Sequence, residues 1–270
     1  MAAMSPATRL VTRAARQVLQ PMGLGQKGRS RTWIDDHRWW LIVVEFQPSG
    51  FTQGTYLNVG VNWLWWAKAY LSFDYGSRVR WTTTTDPIRL ADGDLHTTDF
   101  VAYRDERQFD HEVRAVCHVA AQRVVELRKN FTDLRSTART LNEHATTDQS
   151  WPSYHAGVAA GLAGDTATAQ RLLTSVAIGQ ATSSWQAELI AHARDLSELL
   201  GDRSAFVARI TSIVVRARAL LKLEPALPSP GIDDGHRDPL EQPLRELPAE
   251  DRRQHLQREG GKEVEVNTDF

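Results

Sequence analysis

Glu45, Gln47, Asn58 and Asn62 are the residues of this chain whose types and spacing fit chemistry at one place. Alternate residues of a strand share a face, so the even spacings 45/47 and 58/62 put these four polar groups on one surface if both segments are strands. Trp39 has the parity of Glu45, and Tyr56 that of Asn58, so the two rings can wall a groove between them. A half-buried carboxylate at position 45 needs a partner, and Lys27, Arg29 or Arg31 supplies one from the preceding segment. The set therefore reads as a polar ligand-binding groove, with a hydrolase-like pocket using Glu45 and a basic partner as the alternative. The plainer reading is a cross-strand polar network, since antiparallel sheets commonly leave one face in water.

Other chemistry finds little support. No phosphate loop, dinucleotide fingerprint, nucleophile elbow, zinc spacing or kinase motif occurs. His111 and His118 lie seven apart on one helix face, whereas metal ligation wants i, i+4 spacing or a third ligand, so no metal or cofactor is implied. The seven Trp between Trp33 and Trp81 can line an aromatic cage or a base-stacking platform, but no basic stripe accompanies them and core packing is the stronger reading. Cys117, the single cysteine, cannot form an internal disulfide and reads as a small core residue of a reducing compartment.

The elements that must hold the groove lie between Gly23 and Lys68, which contains six of the nine Trp. Arg38 to Gln47 and Thr55 to Trp65 read as two strands joined through Pro48, Gly50 and Gly54. Pairing Phe46 with Leu57 also pairs Val44 with Val59, Ile42 with Val61 and Trp40 with Trp63. That register makes one face apolar and leaves the other to Glu45, Gln47, Tyr56, Asn58 and Asn62, with Gly60 giving room for a ligand or a covering segment. Asn58→Asp is expected to be tolerated if that face is open. Arg29 to Ile34 reads as an earlier strand that turns through Asp35, Asp36 and His37, and Ala69 to Asp74 with Arg78 to Thr84 reads as a second hairpin around Tyr75-Gly76-Ser77. In that hairpin Leu71 faces Trp81.

Ser5-Pro6 is an N-cap and first-turn proline for a helix to Leu19, expected to lie on the sheet. Loop signals run from Asp86 to about Arg104, and then Phe109, Val113, Val116, Ala120, Val124, Leu127, Phe131 and Leu134 form one long helical stripe. Four shorter helices follow from Trp151 to Leu223, separated at Gly164-Asp165, Gly179, a capping-box pattern from Ser183 to Gln186, and Gly201-Asp202. The first pair, residues 154–177, is similar to a tetratricopeptide hairpin, with Gly157, Gly164 and Ala169 where that repeat uses small residues.

A wider resemblance covers residues 5–110. Gly23-Leu24, Gln26-Lys27-Gly28-Arg29 and Trp33, then Val43 to Ser49, then Tyr56 to Val61 resemble a bacterial domain family of unknown function. Its pattern is glycine-aromatic-lysine-lysine-x-glycine, asparagine-phenylalanine-glutamine-x-serine and asparagine-x-glycine. Leu24 stands here for the aromatic and Glu45 for the asparagine. The resemblance implies a fold and no activity.

The chain of 270 residues, 41% hydrophobic, is long enough for a sizeable core, and no apolar run approaches the roughly 20 residues of a membrane span. Arg9, Arg13 and Arg16 interrupt any signal-peptide layout, so a cytoplasmic protein is expected. A net charge of −1 argues against nucleic acid as a partner, and residues 224–270 carry 12 acids against 6 bases and six prolines, the composition of a disordered tail. The expected architecture is α+β. It comprises a sheet domain at 1–104 with a helix on four or five antiparallel strands, a helical region at 105–223, and the tail. The expected function is a non-catalytic binding or protein-interaction module.

Overall fold

A computed structural model describes residues 5–83, 96–145 and 150–225. The expectations for the loop at 84–95, for the tail beyond Pro225 and for a short helix at 249–259 lie outside the described residues. The described residues form one compact unit, so the sheet and the helices belong to the same body. The fold is α+β, with a six-stranded antiparallel sheet, a separate two-stranded one and seven α-helices among the described residues.

The sheet is built on β3 (Trp40–Pro48) and β4 (Gly54–Trp63), whose register sets Phe46 opposite Leu57, Val44 opposite Val59, Ile42 opposite Val61 and Trp40 opposite Trp63. This is the register that keeps one face wholly apolar, and Trp40, Ile42, Val44, Phe46, Leu57, Val59, Val61 and Trp63 are all buried. β2 (Thr32–Asp36) pairs with β3, and the two-residue β1 (Gly25–Gln26) pairs with β2. Asp35 and Asp36 belong to the strand rather than to the turn, which falls at His37 to Trp39 with Arg38 at φ 71°.

The second hairpin is not formed. Tyr75-Gly76-Ser77, read as its loop, belongs with Arg78 to strand β5 (Tyr75–Arg78), which pairs along β4 from Val61 to Asn58. Gly76 marks a close approach of two strands instead of a hairpin turn. It lies opposite Gly60, and a Cβ on Gly60 would sit 2.3 Å from the Tyr75 carbonyl oxygen. Trp81 consequently does not face Leu71. It lies in β6 (Trp81–Thr83), opposite Thr98 of β7 (His96–Thr98) in a separate two-stranded sheet. A further strand, β8 (Phe100–Ala102), occupies part of the expected loop and pairs with β4 at Gly54 to Tyr56. Three-residue strands carry too little alternation to be seen in sequence.

Helix α1 (Pro6–Leu19) starts where expected, with the Ser5 hydroxyl accepting from the Thr8 N–H. Its buried stripe packs chiefly on α2 (Glu106–Asn130), and it is α2 that lies against β3, β4 and β8. Arg9 and Arg13 reach Glu106 and Asp110, so the acids at the start of α2 serve the neighbouring helix as well as the dipole. The long stripe ends at Phe131, whose ring packs edge-on against Trp40, Trp63 and Tyr75. Asp133 then caps a separate helix, α3 (Leu134–His144), through a reciprocal bond with Ser136.

The remaining helices are α4 (Ser150–Ala163), α5 (Thr166–Ala177), α6 (Ser184–Leu199) and α7 (Arg203–Leu221). α4 is the core of this half: every residue from Ser153 to Leu162 is buried. Glycines let its neighbours close in, because a Cβ on Gly157 would lie 2.8 Å from Leu173 and one on Gly161 would lie 2.6 Å from Phe206. Ser183 makes no side-chain cap; the side-chain Oε1 of Gln186 instead accepts from the Thr182 N–H and from the hydroxyls of Thr182 and Ser183.

The helices are tied to the sheet at the β2–β3 turn. Arg218 of α7, 4% exposed, holds both carboxylate oxygens of Asp36 at 2.8 and 2.7 Å and also donates to the carbonyls of Arg38 and Glu224. Removing one partner of such a pair leaves a buried charge without its counter-ion. Asp36→Ala should therefore cost about 3 kcal/mol in urea unfolding, and Asp36→Asn, which keeps one acceptor, should cost less.

Candidate functional site

The polar face of β3 and β4 divides into two environments. At the Gln47 end, Glu45, Gln47, Tyr56 and Asn58 come together around the Asn58 amide. Its NH2 group donates to Glu45 Oε2 at 2.9 Å and to Gln47 Oε1 at 3.0 Å. Arg78 of β5 completes the network, donating to Gln47 Oε1 at 2.8 Å and laying its guanidinium over the Tyr56 ring at 3.8 Å. Asp99 lies 3.9 Å from the same guanidinium, and the Phe100 ring meets Tyr56 at 4.6 Å. Asn58 is buried, Glu45 half-buried and Gln47 exposed.

At the other end the face is closed. Asn62 is fully buried, and its side-chain Oδ1 accepts from the Ser72 N–H at 2.9 Å. The segment that covers it also fills the space above Gly60, where a Cβ would lie 3.0 Å from the Phe73 ring. Asn62 is thus part of the fold's interior and not of an open groove. Trp39 is also elsewhere: it stacks with Trp63 and Trp65 at 6.3 and 5.3 Å. Eight residues of strand separate it from Gln47, roughly 26 Å at the usual rise, so it cannot wall the same groove.

The basic partner expected for Glu45 is different as well. Lys27 Nζ donates to the Leu221 carbonyl at 2.7 Å, capping the end of α7, and the Arg31 guanidinium donates to the Thr8 hydroxyl. Arg29 lies exposed in the turn between β1 and β2. The cation that joins the network is Arg78, which sequence reasoning placed in a hairpin strand with no site role. Only the pairing of β5 with β4 puts it beside Asn58.

A second cluster of chemically capable residues is enclosed. Lys68 Nζ donates to Asp74 Oδ1 at 2.7 Å and sits 5.1 Å from the centre of the Trp151 ring. Asp74 Oδ2 accepts from the Trp63 N–H, so the pair closes the loop after β4. Burial holds the Lys68 amine below its ordinary pKa, against the opposing pull of Asp74. Nearby, Trp65 Nε1 donates to His155 Nδ1 at 2.7 Å, which fixes the neutral imidazole, and burial pushes the His155 pKa down to about 4. Lys68 is 7% exposed and His155 1%, so these groups hold the loop and α4 together. No spacing in the sequence links positions 68, 74 and 155.

Cys117 is buried and its thiol is pushed up to about 12 by burial, which makes it inert. His111 and His118 are exposed on α2, and no three metal-ligating side chains cluster among the described residues. Comparison with protein-family models, with curated proteins and with solved structures finds no match.

Because Asn58 is enclosed by Glu45 and Gln47, Asn58→Asp should not be tolerated as an open surface position would allow. It sets two carboxylates side by side and removes two donors. The loss in thermal melts should exceed about 1 kcal/mol at neutral pH and shrink as acid protonates one of the pair. His155 gives the opposite dependence. Between about pH 6.5 and 4 the unfolded imidazole takes up a proton that the native one refuses, so stability falls on acidification by about 3 kcal/mol from this residue. His155→Gln, which can still accept from Trp65, should flatten that part of the pH profile in urea melts.

Proposed function

We propose that this chain is a non-catalytic protein-interaction module that uses the open end of the β3–β4 polar face. The observation that carries this reading is the Asn58-centred network, which fixes Glu45, Gln47 and Arg78 in one arrangement at a half-exposed surface. Side chains held in place before binding lose little entropy on binding. Phe51, fully exposed in the loop between β3 and β4, adds an aromatic of the kind enriched at interfaces. The hydrolase-like alternative has less support. Among the described residues the cation that joins the network is Arg78, and a guanidinium is not a proton carrier for Glu45. No helix among the described residues is long and apolar enough to cross a membrane, and the lone Cys117 is buried, which fits a cytoplasmic partner.

The test compares wild type with Glu45→Ala/Gln47→Ala as immobilised bait in a cell lysate. Wild type should retain a protein in near-stoichiometric amount, and the double variant, assayed well below its Tm because losing both Asn58 acceptors lowers that Tm by about 4 °C or more, roughly 1 kcal/mol for a chain of this size, should lose it. Retention by both would place the interaction elsewhere. Turnover in a substrate screen that disappears in Glu45→Gln would favour the hydrolase-like reading instead.

A further inference from the structure

We infer that Glu45 and Gln47 form a preset hydrogen-bond fork for the N–H and carbonyl of one residue of an extended peptide. This rests on the interaction reading above and gives it a ligand chemistry. The orientation of each amide in the network follows from what the charged groups at its two ends can do. An ionised carboxylate only accepts, so Asn58 must turn its NH2 toward Glu45 Oε2, and the second hydrogen of that NH2 meets Gln47 Oε1. A guanidinium only donates, and Arg78 donates to the same Gln47 oxygen at 2.8 Å and to Asn58 Oδ1 at 3.5 Å. Flipping Gln47 would set its NH2 against two donors. Gln47 Nε2 therefore faces outward as a donor, and the second oxygen of Glu45 stands beside it as an acceptor.

The two residues are two apart on one face of β3, roughly 7 Å along the strand. A donor next to an acceptor on a flat sheet surface matches one residue of an extended peptide, whose own N–H and carbonyl point to the same side: the carbonyl meets Gln47 and the N–H meets Glu45. A carboxylate ligand would be repelled by Glu45, and a cation would face the donors of Gln47 and Arg78. A nucleobase edge carries the same donor and acceptor pair but gains most from stacking. Tyr56, the ring within the network, is covered by Arg78 at 3.8 Å and packed against Phe100 at 4.6 Å. A peptide is the occupant that needs no free ring.

The experiment follows the side-chain amide signals of Gln47 and Asn58 by nitrogen-resolved NMR of the full chain. The probes are N-acetyl-alanine N-methylamide, propionate, guanidinium and uridine, each to about 50 mM, since such small fragments bind weakly. Saturable shifts with the blocked amino acid, at least fivefold larger than with the other three, are expected. In Gln47→Glu, which keeps the contacts to Asn58 and Arg78 but turns the outward donor into an acceptor, the Asn58 response should vanish. No response to the blocked amino acid, an equal response to propionate or guanidinium, a larger one to uridine, or persistence in Gln47→Glu would each overturn the assignment. A silent peptide arm with an intact lysate partner would remove the amide reading alone, whereas the interaction surface itself stands or falls on the lysate comparison.

Discussion

Nine cross-strand pairs between β3 and β4 hold the rest of the molecule in place. Slipping that pairing by one residue would exchange its faces, exposing Trp40, Ile42, Val44 and Phe46 and burying Glu45 and Gln47. No other element can compensate for that exchange. α2 rests on this pair, Phe131 closes over Trp40 and Trp63, and β5 and β8 divide the free edge of β4 between them. The apolar side chains at alternate positions make every other register costly, which is why one arrangement is specified.

Polar contacts then decide how the helices meet the sheet. The aromatic segment after β4 can pack in several ways, but the Trp65 N–H must find an acceptor when buried, and His155 of α4 provides it. Arg218 does the same at the β2–β3 turn, since a guanidinium with five donors needs the two oxygens of Asp36 and the carbonyls of Arg38 and Glu224 together. Buried polar groups of this kind add little net stability but make misplacement expensive. Charges early in the chain are spent in the same manner: Lys27, Arg9 and Arg13 cap or pair with helices instead of forming a basic surface.

Much of this was legible where periodicity is strong. The β3–β4 register, the Ser5 cap and the breaks at Gly164, Gly179 and Gly201 follow from alternation and cap chemistry over several residues. What failed was the meaning of Gly76. A glycine beside Ser77 and Tyr75 reads locally as a turn, yet it is there because Gly60 on the neighbouring strand leaves no room for a Cβ. That contact joins positions sixteen apart, and nothing in the local sequence encodes it. The misplacement of Arg78 follows directly, because its role beside Asn58 exists only once β5 is a strand. Trp39 and Asn62 join the groove by type and parity, and Lys27 by charge alone, and neither signal says which stretch of a face is covered.

The Gly60–Gly76 approach also explains why a site can exist at only one end of that face. By bringing β5 tight against β4, it pulls the preceding loop over Gly60 and Asn62, where Ser72, Phe73 and the Lys68–Asp74 pair seal the surface. The same strand carries its next residues past the seal, so Arg78 emerges on the uncovered side and supplies the charge opposite Glu45. Asn58 lies between the two carboxyl- and guanidinium-anchored groups and cannot rotate without losing both. One close backbone contact thus buries half of the polar row as structure and leaves the other half open, rigid and oriented.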